Sequence, residues 1–124
     1  MKYYVGIDLG GTNIVAGVVD ENYKIISKVS VPTNAPKSCE EICRSMADVA
    51  IQAIKKAELS RADIAWIGVG IPGPVNKKNG EVLVAVNLGL ENAPIVSTLS
   101  RMCLLPVYIE NDANVAAYGE FIAG

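Results

Sequence analysis

The chain has 124 residues, 51% hydrophobic and 19% charged, with no histidine and a net charge of −2 from 11 basic and 13 acidic side chains. That is enough apolar material for one globular core, and the scattered Lys and Arg exclude the basic footprint of a nucleic-acid binder. The missing histidine removes Ser-His-Asp and Cys-His mechanisms, no apolar run approaches the roughly 18 residues of a membrane span, and no secretory leader pattern opens the chain, so a soluble cytoplasmic protein is expected.

Tyr3 to Ile7 and Ile14 to Val19 have strand composition, with Asp8-Leu9-Gly10-Gly11-Thr12-Asn13 between them. Gly10-Gly11 suits a two-residue hairpin turn with positive φ. Such a tip turns the N–H groups of Gly10, Gly11 and Thr12 outward, where they would suit phosphate oxygens. Asp8, at the strand end, would suit Mg²⁺ held through water against that phosphate. A plain tight hairpin beside an acid explains the same residues. The segment is neither a P-loop nor a dinucleotide fingerprint, because no Gly-Lys-Ser/Thr follows and a strand comes next.

Asn22-Tyr23 reads as a turn and Lys24 to Val31 as a third strand, with Pro32 and Pro36 bounding a loop. Ser38-Cys39-Glu40-Glu41 matches a capping box. Ile42, Met46, Val49, Ala50, Ala53, Ile54 and Ala57 keep helical spacing to about residue 58. Cys39 and Cys43 share a face of that helix; two thiolates there could begin a metal site, but with three cysteines and no histidine, free thiols are favoured.

Asp63 to Ile71 is nearly continuously apolar, as in a strand covered on both faces, and a helical crossover makes it parallel to an earlier strand. Gly70-Ile71-Pro72-Gly73-Pro74 leaves it as a rigid loop in which Gly73 would let a ligand approach the backbone. A strand-terminating turn is the plainer reading. Asn79-Gly80 marks a hairpin-like turn, and a short helix is expected from Asn92 or Ala93 to Met102.

Pro106 to Ile109 reads as a buried strand, followed by Glu110-Asn111-Asp112-Ala113-Asn114 and a helical run from Val115 to Phe121. Asn111 and Asp112 thus fall where a strand ends and a helix begins, a usual place for ligand groups in α/β sheets. Asp112 at a helix N-terminus is favoured as the anion, which suits a proton acceptor. Either residue would equally serve as a helix cap, and Glu110 as a structural partner on the strand.

Asp8-Leu9-Gly10-Gly11-Thr12, Gly70-Ile71-Pro72-Gly73-Pro74-Val75, Asn87-Leu88-Gly89 and Glu110-Asn111-Asp112-Ala113-Asn114 follow one another across nearly the whole chain. In that order they resemble the N-terminal half of the ROK family of sugar kinases and repressors, its bacterial glucokinases most closely. The resemblance implies an α/β actin-like ATPase (ribonuclease H-like) domain, with a mixed sheet, an N-terminal β-hairpin and meander, and helices packed on it. It implies ATP and Mg²⁺ as cofactors and γ-phosphoryl transfer to a hexose, glucose first. Asp112 would be the catalytic base, and Gly73, Asn87, Asn111 and Asp112 sugar contacts. Gly10, Gly11, Thr12 and Asn13 would lie at the phosphates and Asp8 at the metal. Leu90 stands where these glucokinases usually have Trp, and Asn13 where Lys is common.

The resemblance also makes residues 1–124 an N-terminal domain. The nucleotide-binding domain, with its adenosine and zinc sites, would lie outside them, and the chain alone would be inactive. The expected partners are a hexose, ATP and further copies of the full-length protein, without nucleic acid or membrane. A sugar-sensing repressor domain and a non-catalytic phosphate- or sugar-binding module are the alternatives.

Overall fold

The computed structural model describes residues 2–22, 24–71, 73–85 and 88–110. Three antiparallel strands open the chain, β1 (Tyr3–Leu9), β2 (Asn13–Asp20) and β3 (Ile25–Pro32). Tyr3 pairs with Asp20 and Leu9 with Ile14 in the first hairpin. In the second turn the Asp20 carboxylate accepts the N–H groups of Asn22 at 2.8 Å and Lys24 at 3.1 Å. That short side chain supplies the turn's own hydrogen bonds.

Alternation on β1 and β2 sends Val5, Ile7, Leu9, Ile14, Ala16 and Val18 to one face, where all are fully buried. The helix α1 (Cys39–Lys56) covers them with Ile42, Cys43, Met46, Val49, Ala50 and Ala53. Burial of each large aliphatic side chain contributes roughly 1.5–3 kcal/mol. The capping box is present: Ser38 Oγ accepts the Glu41 N–H at 3.2 Å, and Glu41 Oε1 accepts the Ser38 N–H at 3.4 Å. Glu40 and Glu41 in the first turn and Lys55 and Lys56 in the last complement the helix dipole.

A short 3₁₀ turn (Arg61–Asp63) leads into β4 (Ile64–Gly70). It lies parallel to β1, as its helical crossover requires, with a shift in register between Tyr3 and Val5. Its second face is less covered than its apolar composition suggests, because Ala65 and Trp66 are partly exposed. Trp66 instead bridges Tyr4, at 4.3 Å between ring centroids, and Tyr108, at 6.0 Å edge-on.

The following segment corrects the sequence reading. The strands β5 (Val75–Asn76), β6 (Glu81–Ala85) and β7 (Leu90–Ala93) form a separate three-stranded sheet. Its first turn ends at Gly80, whose φ of +68° explains the glycine. The short helix α2 (Ile95–Cys103) starts only after β7, and β8 (Val107–Glu110) then pairs parallel to β4. The main sheet runs β3-β2-β1-β4-β8.

Candidate functional site

The parallel strands β1, β4 and β8 all deliver their carboxyl ends to one edge of the sheet, the position at which α/β sheets bind ligands. Asp8 pairs with Gly70, and Gly70 with Glu110, so the two acids share one row with a glycine between them. Strand alternation puts Asp8 and Glu110 on the face opposite α1. Neighbouring Gly6 and Gly68 pair on that same face, so the backbone between the acids carries no side chain. Asp8 is exposed. The Ile71 N–H donates to the Glu110 carbonyl at 2.7 Å, which ties the exits of β4 and β8 together.

The hairpin tip lies at the same edge but differs from the turn read in the sequence. Gly80 and Gly89 are the positive-φ glycines among the described residues, and neither Gly10 nor Gly11 adopts that conformation. The Gly10 N–H donates to the Asn13 carbonyl at 3.0 Å, so it faces into the loop rather than outward. A Cβ on Gly10 would stand 2.8 Å from that carbonyl oxygen. Glycine is therefore required by close backbone approach. The outermost residues are Gly11 and Thr12, both exposed, with Asn13 exposed beside them.

Thr33, which sequence reasoning passed over, clamps the tip from the end of β3. Its Oγ1 donates to the Gly10 carbonyl at 2.7 Å, and its N–H donates to the Thr12 carbonyl at 2.8 Å. Thr33 is fully buried. No local pattern marks it, because its partners lie about twenty residues earlier in the chain.

Gly73 is likewise a glycine for a structural reason. A Cβ there would meet the Val84 carbonyl oxygen of β6 at 2.3 Å. The space that a side chain would take there belongs to the second sheet. Glu110 is the structural partner of Lys77, with Nζ 2.9 Å from Oε1; nothing in the sequence links these distant residues. Among the described residues the ion pairs are this one and Arg44–Glu40, leaving Asp8 in neither.

Gly89, at φ +73°, packs against Pro36, while the Lys37 N–H reaches the Leu88 carbonyl at 3.4 Å. Leu88 and Gly89 thus lie at the entry of α1. Asn87, Asn111 and Asp112, and the helix expected from Val115, lie outside the described residues. Among the described residues no group of three or more His, Cys, Asp or Glu is placed to hold a metal, and no helix is long and apolar enough to cross a membrane.

Residues 4–124 match the ROK family. The chain belongs to the ROK family. A glucokinase of Streptomyces coelicolor is 38% identical over the whole of this chain, which covers 37% of that protein. A xylose repressor of Caldicellulosiruptor bescii is 36% identical over 94% of this chain and 29% of its own length. A crystal structure of a ROK family glucokinase from Streptomyces griseus, in complex with glucose and AMPPNP, superposes with a TM-score of 0.74 at 35% identity. That comparison covers 98% of this chain and 37% of the other. The ROK domain here accordingly has the actin-like ATPase fold, and the chain spans a little over a third of the length of the glucokinases it matches.

Proposed function

We propose that these residues are the N-terminal domain of an ATP-dependent, glucokinase-like hexose kinase acting in cytoplasmic carbohydrate metabolism. The observation that carries this reading is the shared row of Asp8, Gly70 and Glu110. It brings the acid beside the glycine tip to the same sheet edge as the strand that leads into Asn111-Asp112.

In phosphoryl transfer the protein must mainly position its reactants and stabilise charge on the transferring group. Gly11 and Thr12, exposed at a tip braced by Thr33, are suited to hold phosphate oxygens through backbone N–H groups. Gly10 and Asn13 support them by closing the loop on each other. Asp8 fits a single-carboxylate Mg²⁺ site, being exposed and in neither ion pair; bound Mg²⁺ would neutralise charge on the phosphates. Asp112 accepts the proton of the attacking sugar hydroxyl, while Asn87, Asn111 and the backbone at Gly73 orient the hexose. Adenosine and zinc sites belong to the remainder of the full-length protein, which we expect to be a homo-oligomer.

The test is ATP-dependent phosphorylation of a hexose panel by the full-length protein, with calorimetric titration of each sugar. Glucose should bind and turn over. Sugar binding without turnover, together with sequence-specific DNA binding, would favour the repressor reading that the xylose repressor relative supports.

A further inference from the structure

We propose that Thr33 is a positioning residue for phosphoryl transfer, aiming the Gly11 N–H at the phosphates and fixing the spacing between the hairpin tip and the loop at Leu88-Gly89. The proposal rests on the reading of the tip as the phosphate site and of the loop after Asn87 as the sugar side. Thr33 directly follows β3 and is fully buried, so it acts through the backbone of the tip and not by contact with a substrate. It donates to the tip twice, from Oγ1 to the Gly10 carbonyl at 2.7 Å and from its N–H to the Thr12 carbonyl at 2.8 Å.

A trans peptide is planar, with its C=O and N–H pointing in opposite directions. The Gly10 carbonyl and the Gly11 N–H belong to one such unit. Because the carbonyl points inward to the buried Thr33 hydroxyl, the Gly11 N–H is turned away from the core, towards the exposed side of the tip. The glycines flanking that peptide have no Cβ to restrict its rotation. The hydroxyl therefore supplies a restraint that the local sequence lacks, while the Gly10 N–H, bonded to the Asn13 carbonyl at 3.0 Å, holds the other side of the loop.

Residues 34–38 carry this restraint across to the sugar side. They run from Thr33, at the end of β3, to Ser38, the N-cap of α1, so both ends are fixed on regular elements. Between these ends Pro36 packs against Gly89, where a Cβ would stand 2.8 Å from the Pro36 Cβ, and the Lys37 N–H donates to the Leu88 carbonyl at 3.4 Å. One short strap thus grips Gly10 and Thr12 at one end and Leu88 and Gly89 at the other. Between two bound substrates a displacement of about 1 Å is worth about 10² in rate. A strap of fixed length between their sites accordingly governs kcat more than either affinity.

The experiment is steady-state kinetics of the full-length protein with ATP and glucose, beside calorimetric titration of glucose, at a temperature where urea unfolding shows each variant to be folded. Thr33→Val frees the Gly10 carbonyl; it should lower kcat by about ten-fold or more and raise KM for ATP, with glucose affinity kept within about three-fold. Thr33→Ser, which keeps the hydroxyl, should stay within about three-fold of the parent kcat. Gly89→Ala pushes on Pro36 from the other end and should also lower kcat at saturating substrates. In the double variant with Thr33→Val the two losses should not multiply, because both slacken one strap. A folded Thr33→Val with the parent kcat, a Thr33→Ser as slow as Thr33→Val, or losses that multiply in the double variant would each overturn the proposal alone. A parent protein that phosphorylates no hexose would overturn the kinase reading and this proposal with it.

Discussion

Gly10→Ala and Gly11→Ala separate the two jobs of the hairpin tip. A methyl group on Gly10 would lie 2.8 Å from the Asn13 carbonyl oxygen, about 0.6 Å inside ordinary contact. The obstructing atom is backbone and also accepts the Gly10 N–H at 3.0 Å. Moving it away costs that hydrogen bond, about 0.5–1.5 kcal/mol, and disturbs the Thr33 clamp on the Gly10 carbonyl. Added to the usual penalty for overpacking, Gly10→Ala should destabilise by about 1–3 kcal/mol. Gly11 is exposed and has no positive φ, so its alanine variant should stay within about 0.5 kcal/mol of the parent. Urea unfolding of the full-length protein measures both, and nucleotide and sugar titrations under folded conditions complete the comparison. Gly11→Ala should weaken MgATP binding with hexose affinity nearly unchanged. A stable Gly10→Ala would refute the close-approach argument, and normal MgATP binding by Gly11→Ala would refute the phosphate cradle.

Thr33→Val keeps the side chain's shape but leaves the Gly10 carbonyl without its 2.7 Å donor; a loss of about 1–2 kcal/mol is expected in denaturant unfolding. Ser38→Ala removes the capping box of α1 and should cost about 1 kcal/mol, read by thermal melting. Glu110→Gln breaks a pair whose lysine is 61% exposed, so stability should change by no more than about 1 kcal/mol. A larger loss by chemical denaturation would make the Lys77 contact a structural tie between the sheets.

Features encoded by neighbouring residues were legible in the sequence. The strand composition of Tyr3 to Ile7 and Ile14 to Val19, the Ser38–Glu41 box and the helical spacing from Ile42 to Ala57 led to strands, cap and helix that the structure contains. The parallel pairing of β4 with β1 followed from the helical crossover. Leu90–Ala93 was missed because a four-residue strand containing Asn92 at φ +48° has no readable period. The turn at Gly10 and the packing at Gly73 were not legible for a different reason. Glycine frees a backbone for many uses, and only the positions of the Asn13 and Val84 carbonyls show which applies. Thr33 and Lys77 act on residues far away in the chain, where local patterns carry no signal.

The most direct measurement is the turnover of Asp112→Asn in the full-length protein, with ATP and glucose, beside calorimetric titration of the sugar. A positioned base is worth roughly 10²–10⁴ in rate, so kcat should fall by at least 10² while glucose affinity stays within a few-fold. Turnover close to that of the unsubstituted protein would reduce Asp112 to a helix cap and contradict the assignment of the catalytic base.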